Sequence, residues 1–136
     1  MERRSGAARF GVIEVEFLDF EDIVAVIREV AVGPIRDQGL LDSAVNRPRS
    51  SAFGEDAYGT VDLKAAALLH SVTNNHALVD GNKRLAWLCT VVFCDLNELS
   101  PDLTDEEAFQ LVWDIASSKM EVTEIVERLR LSPKID

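Results

Sequence analysis

Basic residues are in short supply. The chain has 14 Lys and Arg against 24 Asp and Glu, a formal net charge of −10. Sequence-independent nucleic-acid binding needs a basic footprint that releases counterions, so direct nucleic-acid binding is excluded. Protein partners stay open. Cysteine is scarce as well, with Cys89 and Cys94 alone. Five residues apart in an apolar stretch, they match neither a metal spacing nor a redox pair, and buried free thiols are expected. Long apolar runs are missing. The longest, residues 85–93, is broken by Thr90. It falls far short of the roughly 20 apolar residues of a membrane span. Residues 1–10 hold three Arg but no apolar core of a signal peptide, so a cytoplasmic chain is expected. There is no internal repeat, low-complexity tract or interdomain linker.

What is present is a core. At 136 residues and 47% apolar content, the chain suits a single domain spanning 1–136, with residues 1–9 as a mobile end. Residues 10–18 alternate loosely, Val12, Ile13, Val15 and Phe17 against Glu14 and Glu16, which suits a short strand or extended segment. Asp19 is a good N-cap for a helix over 20–31, with Ile23, Val26, Ile27 and Val30 on one face. Gly33-Pro34 stops it. A short helix over 39–46 ends at Pro48. Residues 47–60, polar and rich in Ser and Gly, form one long loop, and loops of that length are usually functional. Arg47 and Arg49 in it are candidates to face phosphate or a target.

Helices over 61–75 and 81–97 follow. Thr104 and Glu107 form a capping box that opens a helix carrying Ala108, Leu111, Val112 and Ile115. A last helix over 122–131 shows Val122, Ile125, Val126 and Leu129 at helical spacing. Trp87 and Trp113 stand at apolar positions and are expected in the core. The sum is an all-α fold, a compact bundle of about six helices.

The chemistry concentrates in His76 to Arg84, H-A-L-V-D-G-N-K-R, a polar loop between two apolar helices. Gly81 permits a turn that a Cβ would resist. Asn82, Lys83 and Arg84 open the next helix. Two cations there work against the helix dipole unless an anion binds, and a phosphate chain is the obvious candidate. Asp80 can hold a magnesium ion, which takes one or two carboxylates plus substrate phosphates. His76, where the preceding helix ends, can take a proton from an attacking hydroxyl near neutral pH. Phosphoryl or nucleotidyl transfer is the chemistry these residues suit. His70 lies inside an apolar helix and reads as a core or supporting residue. It cannot join His76 at one metal, because six helical residues turn about 240° between them.

The nine-residue stretch resembles the signature of the Fic/Doc superfamily. Its Lys83, where adenylyltransferases of the superfamily carry Gly, resembles the Doc branch. The resemblance extends through G-L-L-D-S-A-V-N-R-P (39–48) and L-K-A-A-A-L-L-H-S (63–71). It implies a Fic/Doc-type bundle in which residues 47–60 are a flap beside the active site. It makes His76 the general base, Asp80 the metal ligand, and Gly81, Asn82, Lys83 and Arg84 the phosphate loop, with ATP and Mg2+ as cofactors. It implies a toxin that transfers the ATP γ-phosphate to a threonine of elongation factor Tu and blocks translation. Two positions depart from the family pattern: Leu78 stands for the usual Phe and Ala77 for a frequent Pro. Leu78 should pack inward and anchor the loop. The inhibitory helix of many Fic proteins has no good counterpart, since the nearest match, Ser51 to Glu55, falls in the flap. Restraint would then come from an antitoxin, an amphipathic helix in a groove near the flap. AMP transfer and a catalytically silent binding protein of the same fold remain as alternatives.

Overall fold

The computed structural model describes residues 8–9 and 12–135. Most of the end expected to be mobile, residues 1–7, lies outside them. Two short strands come first, β1 (Ala8–Arg9) and β2 (Val12–Ile13), paired antiparallel. Residues 14–19 belong to no strand. They are tied to the far end of the fourth helix by Asn97, whose amide exchanges two 2.9 Å hydrogen bonds with the Glu16 backbone.

Among the described residues six α-helices carry the fold, as expected of an all-α bundle. Helix α1 (Phe20–Val30) starts at Asp19 in a full capping box with Asp22. It ends at Ala31 in the left-handed region, just before Gly33-Pro34. Helix α2 (Gln38–Asn46) is capped by Asp37 and runs into a 3-10 turn, Arg47–Arg49, around buried Pro48. Helix α3 (Val61–Asn75) is capped by Thr60. Helix α4 (Asn82–Leu96) starts at Gly81. Helix α5 (Asp105–Ser117) opens with the Thr104–Glu107 capping box, and α6 (Val122–Leu129) closes the bundle.

Helix α3 is the centre. Residues 64–69 are all buried without a break, which a helix can sustain only when neighbours cover every side. Helices α2, α4, α5 and α6 supply that cover. Its three consecutive alanines, 65–67, let those neighbours approach closely. Helix α4 adds Leu85, Ala86, Cys89, Phe93 and Cys94 to the same core. Burial pushes both thiols up to about 12, as suits inert core cysteines.

Several sequence expectations need correction. Residues 47–60 are not a plain loop: β3 (Ser51–Ala52) and β4 (Glu55–Asp56) form a small antiparallel hairpin with Phe53 and Gly54 at its tip. The last helix ends at Leu129, because Arg130 turns left-handed and Leu131 enters a strand. That strand, β6 (Leu131–Pro133), pairs with β5 (Leu99–Pro101). Neither strand is long enough to show an alternating pattern in sequence. Trp113 is not core. It is 49% exposed and stacks on exposed Phe109 at 6.1 Å. Helix α5 buries Ala108, Leu111, Val112 and Ile115, and positions 109 and 113 fall outside that stripe.

Candidate active site

The loop between α3 and α4 is stitched to the segment that follows α1. The Val79 amide donates to the Pro34 carbonyl (2.9 Å) and the Gly33 amide to the Asp80 carbonyl (3.0 Å). The amides of Arg36 and Asp37 both donate to the Ala77 carbonyl, at 2.7 and 3.1 Å. Ile35 and Leu78 face each other in a bridge between the two segments. Leu78 is 2% exposed, so it does anchor the loop from inside.

At one end of the loop, His76 is the left-handed C-cap of α3, with φ 51°. The Arg36 guanidinium donates to its carbonyl from Nε (3.0 Å) and from Nη2. A cation at a helix C-terminus also favours the dipole. At the other end, Gly81 sits at φ 89°. A Cβ there would lie 2.5 Å from Val32 Cγ1 and 2.6 Å from Val32 Cβ, so only glycine fits both the turn and the close approach. Asn82 clips the loop: its Oδ1 accepts from the Leu78 amide and its Nδ2 donates to the Leu78 carbonyl, each at 3.0 Å. Expected as a phosphate ligand, the Asn82 side chain is engaged in shaping the loop, which leaves its backbone N–H as the group it can offer. No side chain caps the start of α4, so orphan donors of its first turn remain for an anion.

With the backbone held this way, His76, Asp80, Gly81, Asn82, Lys83 and Arg84 all line one cleft of about 320 Å³. His76, Asp80, Lys83 and Arg84 are exposed. Thr73, from the last turn of α3, lines it too, and its hydroxyl is buried without a hydrogen-bond partner. Such a group fits a site that gains a polar ligand or water. The ammonium of Lys83 lies 5.3 Å from the Trp113 ring centroid, which leans it toward α5. Among the described residues no three metal-ligating side chains cluster. A cation at Asp80 would draw its other oxygens from phosphate and water, the usual manner of magnesium. Asp80 beside two cations and an uncapped helix start fits a magnesium–nucleotide pair.

Lys83 and Arg84 also border a second space, an apolar groove of about 700 Å³ between α1, α4 and α5. Val30, Trp87, Phe109 and Val112 line it. No residue of the β3–β4 hairpin does.

Other expected site residues lie elsewhere. Arg47 and Arg49 do not face the cleft. Arg47 bonds the Tyr58 hydroxyl and His70, and Arg49 donates to the Leu18 carbonyl while lying 4.8 Å over the Phe17 ring. His70 and His76 have separate surroundings, as helix geometry requires. Val32, Arg36 and Thr73 shape the site without a local pattern that reveals them, since each acts on a residue distant in sequence or on an open cleft.

The sequence profile of the Fic/DOC family matches residues 15–94. The chain is also 41% identical over 119 residues to a Mycolicibacterium smegmatis (strain ATCC 700084 / mc(2)155) protein named Toxin Doc, covering 84% of this chain and 91% of that one.

Proposed function

The chain belongs to the Fic/DOC family, and on that premise we propose that it is a Doc-like toxin acting in the cytoplasm as a protein kinase. It would transfer the ATP γ-phosphate to a threonine hydroxyl of a translation factor such as elongation factor Tu. The observation that carries this reading is the single cleft lined by His76, Asp80, Lys83 and Arg84 at the uncapped start of α4. His76 takes the proton of the attacking hydroxyl. Asp80 holds Mg2+. The α4 amides, Lys83 and Arg84 bind and orient the phosphates, and positioning with electrostatics is most of what phosphoryl transfer asks of a protein. When bound, Mg2+ would offset the charge on the phosphate oxygens as the γ-phosphoryl leaves ADP for the hydroxyl.

An antitoxin is the partner this reading asks for. The apolar groove between α1, α4 and α5 supports an amphipathic helix as its occupant. Its place differs from the expectation of a groove near the flap. A helix seated there would cover Lys83 and Arg84 and so block nucleotide.

One observation favours a second reading, AMP transfer. A Lys83 side chain in the cleft would crowd the diphosphate of an α-presenting nucleotide and favour a γ-presenting one. Resting over Trp113, it crowds the cleft less.

The deciding experiment incubates the protein with host lysate and ATP labelled at the γ- or the α-phosphorus. Label on a single target from γ-labelled ATP alone is expected. Label from α-labelled ATP alone would overturn the kinase reading in favour of AMP transfer. In the same assay the cognate antitoxin should abolish labelling, and Phe109→Glu should preserve labelling but escape that inhibition. Full inhibition of Phe109→Glu would place the antitoxin elsewhere.

A further inference from the structure

The β3–β4 hairpin meets α3 at two posts. At the first, Arg47 donates from Nε to the Tyr58 hydroxyl (2.8 Å) and from Nη1 to Nδ1 of His70 (2.7 Å). Its guanidinium also lies 5.4 Å from the Tyr58 ring centroid. At the second, buried Lys64 pairs with Asp56 at 3.1 Å and donates to the Tyr58 carbonyl. Tyr58 takes part in both. Residues 49–57 are otherwise exposed. A few polar contacts, not apolar burial, therefore decide where the hairpin lies.

The first post carries a condition. A guanidinium only donates hydrogen bonds, so His70 Nδ1 must accept and must be unprotonated. An imidazolium would set N–H against N–H and cation against cation. Two charged groups act on His70: Arg47 from the 3-10 turn and Glu121 from the cap of α6. Tyr58 is the titratable group that shares Arg47 with it. Burial, then Arg47, hold His70 below the ordinary histidine value of 6.5, and Glu121 opposes them.

We propose that Arg47, Tyr58 and His70 form a latch that fixes the hairpin, closed while His70 is neutral and opened by proton uptake. The name flap rests on the function proposed above; the latch rests only on these contacts. The sign follows from linkage. A histidine held neutral by the fold contributes stability that is present in full above 6.5 and is lost as pH falls through its lower folded value. Arg47 and His70 are thus positioning residues. They would make transfer acid-sensitive independently of His76.

Tyr58 is the chain's sole tyrosine, so fluorotyrosine incorporation yields one ¹⁹F resonance beside the latch. In the wild-type protein it should move as pH is lowered from neutral to the acid limit of the folded state, with a midpoint below 6.5. Protection of the Ala57 amide, which bonds the Ser50 carbonyl, should fall at least tenfold over the same range after correction for intrinsic exchange. His70→Gln keeps an acceptor for Arg47 but cannot titrate, so its resonance should stay at the closed position at every pH. His76→Gln should still titrate like the wild type. A wild-type resonance that ignores pH overturns the latch, whatever the variants do. So does an unchanged titration in His70→Gln. Neither readout needs catalytic activity, so failure of the kinase reading leaves this test intact.

Discussion

His76, Val79 and Asp80 in the segment 76–81 and all of residues 50–57 are exposed, yet the two segments are held by different means. The first segment is fixed through its backbone. Its carbonyls and amides pair with residues 33–37, Leu78 is sunk in the core, and Gly81 rests against Val32. The side chains of His76 and Asp80 are then free to face the cleft from a rigid frame. The second segment is fixed through side chains at its base, and its tip residue Phe53 is fully exposed. A site that moves a proton needs its groups held to a fraction of an ångström. A segment that receives a partner gains from having few anchors.

Breaking the first segment should cost most. His76→Ala should lower transfer by roughly 10²–10⁴-fold, the usual worth of a general base. Its circular dichroism spectrum should not change, because only the His76 carbonyl holds Arg36. Full activity with an intact spectrum would remove His76 from the chemistry. Gly81→Ala should act through the fold. The left-handed backbone costs about 1–3 kcal/mol for a non-glycine residue, and overpacking against Val32 adds about 1–3 kcal/mol. Urea unfolding should show the loss. Adding Val32→Ala should recover only part of it, because the Val32 Cβ stays in the way. Wild-type stability in Gly81→Ala would mean that the two segments are not in fact so close.

The second segment should respond differently. Asp56 is 62% exposed at its side chain but Lys64 is buried, so Asp56→Ala, which leaves that ammonium one partner fewer, should cost about 1–3 kcal/mol of stability. Lys64 keeps the Tyr58 carbonyl. The expected signature is a raised KM for the protein target with kcat and the KM for ATP little changed. An equal fall in kcat would show that the hairpin helps to position the reacting groups, and the contrast between the two segments would disappear.

Much of this was legible in the residues. Asp19, Thr60 and the Thr104–Glu107 pair mark helix starts by chemistry that acts within four residues. The apolar stretch around the alanines of α3 marks a helix buried on all sides. His76 to Arg84 marks a candidate site because its residue types are costly between two buried helices. Trp113 was misread because an apolar residue names no face by itself; the stripe of α5 decides that. Asn82 stands in the expected phosphate loop because it opens α4; only the structure shows that its side-chain amide serves the Leu78 backbone four residues back, which leaves its backbone N–H as the group it can offer.

By itself the sequence determined where helices begin, which residues are candidates for chemistry and which family motif they compose. Each of these depends on neighbours within a turn or two of chain. Only the tertiary structure decided that residues 33–37 frame the loop, that Val32 makes Gly81 indispensable, and that β5 meets β6. It also decided that Arg47 serves the hairpin and Arg49 the Leu18 carbonyl, and that neither faces the cleft. Those outcomes are contacts between residues distant in the chain. A backbone amide, a methyl group or a guanidinium carries no mark of its remote partner until the helices have packed.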